Sequence, residues 1–447
     1  MQLDALVASL PAAADVHGIL GRHLLADGYP FVLDMAGSRP GLLRDATTGR
    51  DFVDLFTFYA SSALGMNHPG LVGNSEDAQA FRERLLDAAL NKVANSDVYT
   101  PHMARFVSTF GRVGIPAELP HAFFVEGGAL AVENALKVAF DWKSRRNERA
   151  GRSPRLGTQV LHLTQAFHGR SGYTMSLTNT DPNKTARFPQ FDWPRVGTPG
   201  VRDGRPVEER EAEAVRQAEA FFAERPHDIA AIIAEPIQAE GGDNELRPQF
   251  LRELRRLADE NDALLVFDEV QTGVGLTGTF WAYQGLGVVP DVLAFGKKTQ
   301  VCGILAGPRV DEEPDNVFAV SSRINSTWGG NLVDMVRFDR TLEVIESEDL
   351  VGNAWRTGEH LLSGLAGLSE RFEGVADPRG RGLMCAFDLP DAAARNAVIA
   401  RAYDLGAIVL GCGTRTIRFR PALTTTPAQV AEGLAIVEQA LRDTLEA

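Results

Sequence analysis

Between about residues 120 and 300, short apolar runs alternate with stretches of helical periodicity. AFFVEGG, QVLHLTQAFHG, DIAAIIAEPIQ, ALLVFDE and DVLAFGK read as strands, because continuous apolar runs of this length fit strands covered on both faces. ALAVENALKVAFDWKS, from Ala129, and PVEEREAEAVRQAEAFFAER read as helices. The alternation predicts an α/β fold, with a large, mostly parallel sheet and helices on both faces.

After about residue 335 the texture changes. DMVRFDRTLEVIESE and AWRTGEHLLSGLAGLSERF predict helices, and LMCAFDL, AIVLGC and TIRFRP predict short strands before a final helix. This is the pattern of a smaller α+β domain. FVLDMAG and DFVDLFTFYA, within residues 30–60, read as strands able to join it. The expected division is 1–65 as an N-terminal segment joining the small domain, 66–334 as the large domain and 335–447 as the C-terminal small domain.

The length of 447 residues fits two domains with a large core, and 44% hydrophobic with 23% charged residues is ordinary for a globular protein. A net charge of -14 argues against nucleic acid or an anionic membrane as partner. No apolar stretch approaches the roughly 20 residues that span a bilayer. MQLDALVASLPAAADVHG carries an early acid and no basic n-region, so no signal peptide is expected. Cys302, Cys385 and Cys412 are scattered, with no CxxC pair. They suggest neither a disulfide framework nor a metal site, and a cytoplasmic protein is expected.

Candidate chemistry begins at LLVFDEVQTG, Leu264 to Gly273. Two acids stand where a buried strand ends, the edge at which open α/β sheets bind ligands. Strand neighbours point to opposite faces, so only one of Asp268 and Glu269 can serve a pocket. GVGLTG matches GxGxxG, but TFWAYQGLGVVPD follows it instead of a long helix, which disfavours a dinucleotide site. FGKK lacks the glycine and the hydroxyl residue of a P-loop.

Lys297 follows the apolar run DVLAF and Gly296. A lysine at a strand end is most often solvated, but a buried one becomes a nucleophilic amine. Such an amine suits pyridoxal 5'-phosphate, which also needs an acid for its ring nitrogen, a phosphate cup and an aromatic plate. Asp268, the Gly127-Gly128-Ala129 junction between strand and helix, and Phe167 supply candidates at the ends of successive strands.

DEVQTG, the GK at Gly296-Lys297, AFHGR, AEPIQAEGG, NSTWGGN and TIRFRPALT together resemble the class III aminotransferases of the fold-type I pyridoxal-phosphate enzymes. The likeness runs from about residue 50 to 445. VEGGALAVENALKVAFDWKS, FPQFDWPR, FGKKTQVCG and INSTWGGN resemble the members that act on the ε-amine of lysine.

The resemblance implies that Lys297 is the Schiff-base lysine, with Lys298 the lesser choice. It implies Asp268 at the pyridinium nitrogen, Gln271 near the ring oxygen and the substrate, and Gly128 and Ala129 at the phosphate. Thr327 would reach the phosphate of the neighbouring subunit, giving a homodimer with shared sites. One departure stands out: Leu130 occupies the place of a frequent Glu, and no Ser or Thr stands at 127–129. The phosphate cup therefore leans on backbone groups.

The implied substrates are L-lysine and 2-oxoglutarate. Arg170, with Asn325 at the same end, would hold the α-carboxylate of lysine. Arg418 would hold the carboxylate of 2-oxoglutarate nearest the reacting carbon, and Glu240 would neutralise Arg418 while lysine is bound. Glu235 is expected to be structural. Arg420 is expected on the opposite strand face from Arg418, as a surface residue. A different terminal-amine donor, ornithine or 4-aminobutyrate, and a non-catalytic homologue are the alternatives.

Overall fold

Leu264–Asp268, buried along its whole length, lies at the centre of a seven-stranded sheet in a computed structural model describing residues 10–200, 202 and 204–446. The order is His121–Val125, Cys302–Ala306, Val292–Phe295, Leu264–Asp268, Ile229–Ala234, Gln159–Leu163 and Arg195–Val196. Cys302–Ala306 pairs antiparallel with both neighbours, and the remaining pairs are parallel. Alternate side chains feed two cores. Leu265 and Phe267 enter one, with helices Pro101–Val113 and Pro248–Glu260, while Leu264 and Val266 enter the other, against helix Gly128–Arg149. That helix buries Ala131, Ala135, Ala139 and Trp142, the spacing of one helical face.

The antiparallel strand Cys302–Ala306 is absent from the sequence expectations. So is Ala376–Arg381, whose sequence ADPRGR carries little strand character. Helix Glu76–Leu90 is capped by Ser75 Oγ, which accepts from Ala78 N at 3.3 Å, with Glu76 and Asp77 favouring its positive N-terminus.

A four-stranded antiparallel sheet, Ala376–Arg381, Met384–Asp388, Thr416–Phe419 and Leu410–Cys412, builds the C-terminal core with Leu361, Leu365 and Val437. A separate three-stranded sheet joins the N-terminal strands Leu42–Arg44 and Asp51–Asp54 to Ala407–Ile408. FVLDMAG is not a strand beyond an isolated bridge from Leu33 to Asp45. The Asp34 carboxylate accepts from Ala36 N and Gly37 N and turns the chain there. The helix Leu332–Ser347 spans the expected boundary at 335. Its Phe338 packs on Phe106 and Phe110 in the large core, with ring centroids 6.2 and 5.6 Å apart.

Thr57 to Ala60 form one turn with φ of 37, 53, 59 and 64°, a left-handed stretch without glycine. Such a conformation costs about 1–2 kcal/mol per residue. It is held by the Asp54 carboxylate, which accepts from Phe56 N and Thr57 N, and by Thr57 Oγ1 donating to the Arg420 carbonyl at 2.6 Å. Lys143 is wholly buried, and its Nζ donates to the carbonyls of Asn261 and Asp262 just past the end of helix Pro248–Glu260.

Residues 1–9, half of the stretch used to judge a leader, lie outside the described residues. Among the described residues, no helix is long and apolar enough to cross a membrane.

Candidate active site

The parallel strands deliver their following residues to one edge of the sheet. Asp268 ends its strand in register with Ala294, so Lys297, just past the end of the next strand, emerges beside it. Gly128 opens its helix directly after His121–Val125, and Phe167 and His168 follow Gln159–Leu163. Gly127, at φ +99°, makes the turn that points the helix N-terminus, with its unpaired N–H groups, at this edge.

A cavity of about 230 Å³ is lined by Gly128, Ala129, Phe167, His168, Asp268 and Lys297. It shares Phe167, Glu240, Gln271 and Lys297 with a wider cavity of about 820 Å³. Arg170, Lys184, Arg418, Phe58 and Tyr59 line the wider one.

Burial, reinforced by the nearby Arg418 guanidinium, holds the Lys297 amine below the ordinary lysine range, although Asp268 and Glu240 oppose the shift. Lys297 has φ +55°, a backbone setting tolerated where surrounding structure enforces it. Lys298 turns away from the cavity. Its Nζ donates to the carbonyls of Gln271 at 2.7 Å and Ala60 at 3.3 Å, and burial depresses its pKa strongly.

Asp268 is buried. Its Oδ1 accepts from Val270 N at 3.0 Å, and its Oδ2 lies 2.8 Å from His168 Nδ1. With the carboxylate as acceptor, Nδ1 carries the proton. His168 Nε2 is buried without a partner among the described residues. Glu269 faces the other way. It accepts from Thr272 Oγ1, Ala282 N and Tyr283 N, and burial pushes its pKa up to about 7. Glu235 accepts from Phe167 N at 2.9 Å and Ala239 N at 3.2 Å, which fixes the Phe167 backbone. Burial, with Asp268 nearby, raises its pKa well above the carboxylate range.

Arg418 is 3% exposed and has no carboxylate partner among the described residues. Its Nη1 donates to Gln271 Oε1 at 3.2 Å, and its Nε has no partner. The expected pair between Glu240 and Arg418 is not formed. Glu240 instead pairs with Lys184 and accepts from Thr180 Oγ1 at 2.8 Å. Arg420 is not a surface residue. Two residues apart on an extended chain is one face, so Arg420 turns inward with Arg418. It is fully buried, donates to Gln271 Oε1 at 2.9 Å and forms a two-pronged pair with Asp243.

The structure thus gathers Lys297, Asp268, Gly128, Ala129, Phe167, Gln271, Arg170, Glu240 and Arg418 at one place. It does not bring Asn325 or Thr327 there within the protomer. Both are exposed; Asn325 Oδ1 accepts from Ser326 N, and the Thr327 carbonyl accepts from Ser96 Oγ. His168 and Lys184 were missed in the sequence. Position 168 adjoins Phe167 in AFHGR, which was the available signal, whereas Lys184 carried none.

The Gly273–Gly278 loop is not a phosphate turn. A side chain at Gly273 would meet the Trp281 ring at 2.4 Å, and the helix beyond spans only Ala282–Leu286.

The donor set fits a pyridoxal phosphate. A depressed lysine amine and a buried acid flank one cavity beside a helix N-terminus and an aromatic ring. The family Aminotransferase class-III matches residues 28–441. The chain is 60% identical over 441 residues to an L-lysine-epsilon aminotransferase of Mycobacterium tuberculosis, covering 97% of each chain. It is 52% identical to that of Amycolatopsis lactamdurans, covering 99% of each. The solved lysine aminotransferase from M. tuberculosis in its internal aldimine form superposes with a TM-score of 0.95 at 58% identity, covering 97% of this chain and 100% of that one. The chain belongs to the class-III aminotransferases, pyridoxal-phosphate enzymes of fold-type I.

Proposed function

We propose that this enzyme is an L-lysine 6-transaminase. It moves the ε-amino group of L-lysine to 2-oxoglutarate, giving glutamate and 2-aminoadipate 6-semialdehyde, which cyclises to a piperideine carboxylate. One observation carries the reading. A depressed amine, Lys297, shares a cavity with the guanidinium of Arg170 and with the buried guanidinium of Arg418, which has no carboxylate partner among the described residues. That arrangement offers separate cations for two substrates that present their carboxylates at different distances from the reacting carbon. Similarity along nearly the whole chain to enzymes named for lysine supports the choice of donor.

When bound, pyridoxal phosphate supplies an electron sink that acidifies the carbon bearing the donated amine. Lys297 would hold the cofactor, and its amine would be the base that takes a proton from the ε-carbon of lysine. Its lowered pKa favours the unprotonated amine that this task needs. Asp268, fixed by His168 and Val270 N, is the carboxyl group that would face the ring nitrogen. Phe167 would cover a ring face, and Gly128 and Ala129 would offer backbone N–H groups to the phosphate. Gln271 has its Oε1 engaged by Arg418 and Arg420, which leaves its amide nitrogen for the ring oxygen.

Arg170 and Asn325 receive the far α-carboxylate of lysine. Arg418 receives the near carboxylate of 2-oxoglutarate, with Glu240 as its alternate neighbour. Thr327 of the partner subunit completes the phosphate site, which makes the unit a homodimer and accounts for the exposure of that loop in one protomer. The reading places the enzyme in the cytoplasm, with neither nucleic acid nor membrane as partner.

The test is donor profiling. Lysine, ornithine and 4-aminobutyrate are added separately to the cofactor-loaded protein, the loss of its near-ultraviolet band is followed, and any cyclic imine is trapped with 2-aminobenzaldehyde. Lysine is expected to react fastest and give the trapped product. Reaction with ornithine or 4-aminobutyrate but not lysine overturns the reading.

A further inference from the structure

Lys184 and Arg418 line the wider cavity together with Glu240, with which either could pair. Glu240 sits on Lys184 and Thr180, while Arg418 lies buried without an anion among the described residues. A desolvated guanidinium with no counter-charge is costly, so it draws a visiting carboxylate. Once that carboxylate arrives, Glu240 needs another cation or it lies as a repelling charge in the same cavity.

Lys184 is placed to meet that need. It stands on the short turn Pro182–Thr185, whose start is tied by Asp181 Oδ1 accepting from Asn183 N. Just upstream, Asn179 donates through Nδ2 to the carbonyls of Leu163 and Leu177, fixing the segment to a strand of the main sheet. The ammonium also lies 5.5 Å from the centroid of the Phe167 ring, which gives it a second reason to stay at the wall when Glu240 leaves.

We propose that Lys184 is a positioning residue that holds Glu240 off Arg418 during the 2-oxoglutarate half of the reaction. In the lysine half, Glu240 changes partner from Lys184 to Arg418. The inference rests on the transaminase reading above and deepens it. Lys184 acts through Glu240 and touches no reacting atom. Its side chain is 31% exposed and that of Glu240 21%, so the pair is worth a modest free energy and can exchange partners.

The test separates the two substrates. K184Q, K184R, E240Q and the K184Q/E240Q double variant are loaded with cofactor, and KM is measured for 2-oxoglutarate and for the amine donor. K184Q is expected to raise the 2-oxoglutarate KM by roughly fivefold and leave the donor KM unraised. K184R is expected to restore the acceptor KM. In the E240Q background, K184Q is expected to add nothing, because no carboxylate remains to be held. Unchanged KM values, equal increases for both substrates, or the same K184Q effect with Glu240 already neutralised would overturn the proposal. Thermal midpoints and cofactor absorbance of each variant identify a folding defect; if K184Q is defective, K184A in its place decides: a higher acceptor KM alone supports the proposal, and no shift or an equal shift overturns it. If a donor other than lysine reacts, the assignment of the donor fails while this comparison, read with that donor, still decides the role of Lys184.

Discussion

Nδ1 of His168 lies 2.8 Å from Oδ2 of Asp268, and both side chains are buried. With Val270 N on the other oxygen, the carboxylate has no freedom to turn. A hydrogen bond to a charged group is worth about 1.5–3 kcal/mol. H168A is therefore expected to lower kcat by about tenfold or more and to weaken cofactor binding. H168N, whose amide nitrogen can occupy the position of Nδ1, is expected to retain most activity. Cofactor titration and steady-state rates check both.

Lys297 is the group on which the proposed chemistry converges. K297A is expected to lose about 10²–10⁴-fold in turnover through loss of proton transfer alone. Borohydride reduction of the loaded wild-type enzyme, followed by digestion and mass spectrometry, is expected to find the pyridoxyl mass on the Lys297 peptide. Finding it on Lys298 would reassign the site.

Arg420 and Asp243 form a pair that is buried on both sides, 0% and 4% exposed. Removing one partner strands the other charge, at a cost of about 3–5 kcal/mol. R420M and D243N are each expected to lower the denaturation midpoint sharply. The double variant is expected to lose less than the sum. Gln271 loses one of its two guanidinium neighbours in R420M, so acceptor binding is expected to weaken in the surviving folded fraction.

The buried Lys143 gives a pH signature. Burial lowers its pKa from 10.5 to about 8. Between those values the unfolded chain binds the proton and the folded chain releases it, so this contribution to stability rises with pH across the window. Thermal melts of wild type and K143M from pH 7 to 10 test this. The wild type is expected to gain on the variant as pH rises above about 8; a constant difference would contradict it.

Much of the site was legible because apolar strands announce their own ends. ALLVFDE and DVLAFGK stop at Asp268 and Lys297, and the adjacency of those strands in a parallel sheet follows from the helices between others. His168 was not legible, since its contact with Asp268 joins strands far apart in sequence. Arg420 was legible and misread: a period of two puts 418 and 420 on one face. Glu240 could be tied to the cavity by motif but not to Lys184, because an ion-pair choice depends on side-chain reach. The strand Cys302–Ala306 was lost because it begins almost at once after Lys297, without the usual intervening helix.

The left-handed turn at 57–60 bears on how the chain is made. Phe58 and Tyr59 line the wider cavity, yet their conformation is tied to the carbonyl of Arg420, and the strand before them pairs with Ala407–Ile408. During synthesis the earliest of these partners must wait for residues 407–420 to emerge, so this part of the cavity rim is completed only when the chain is nearly whole.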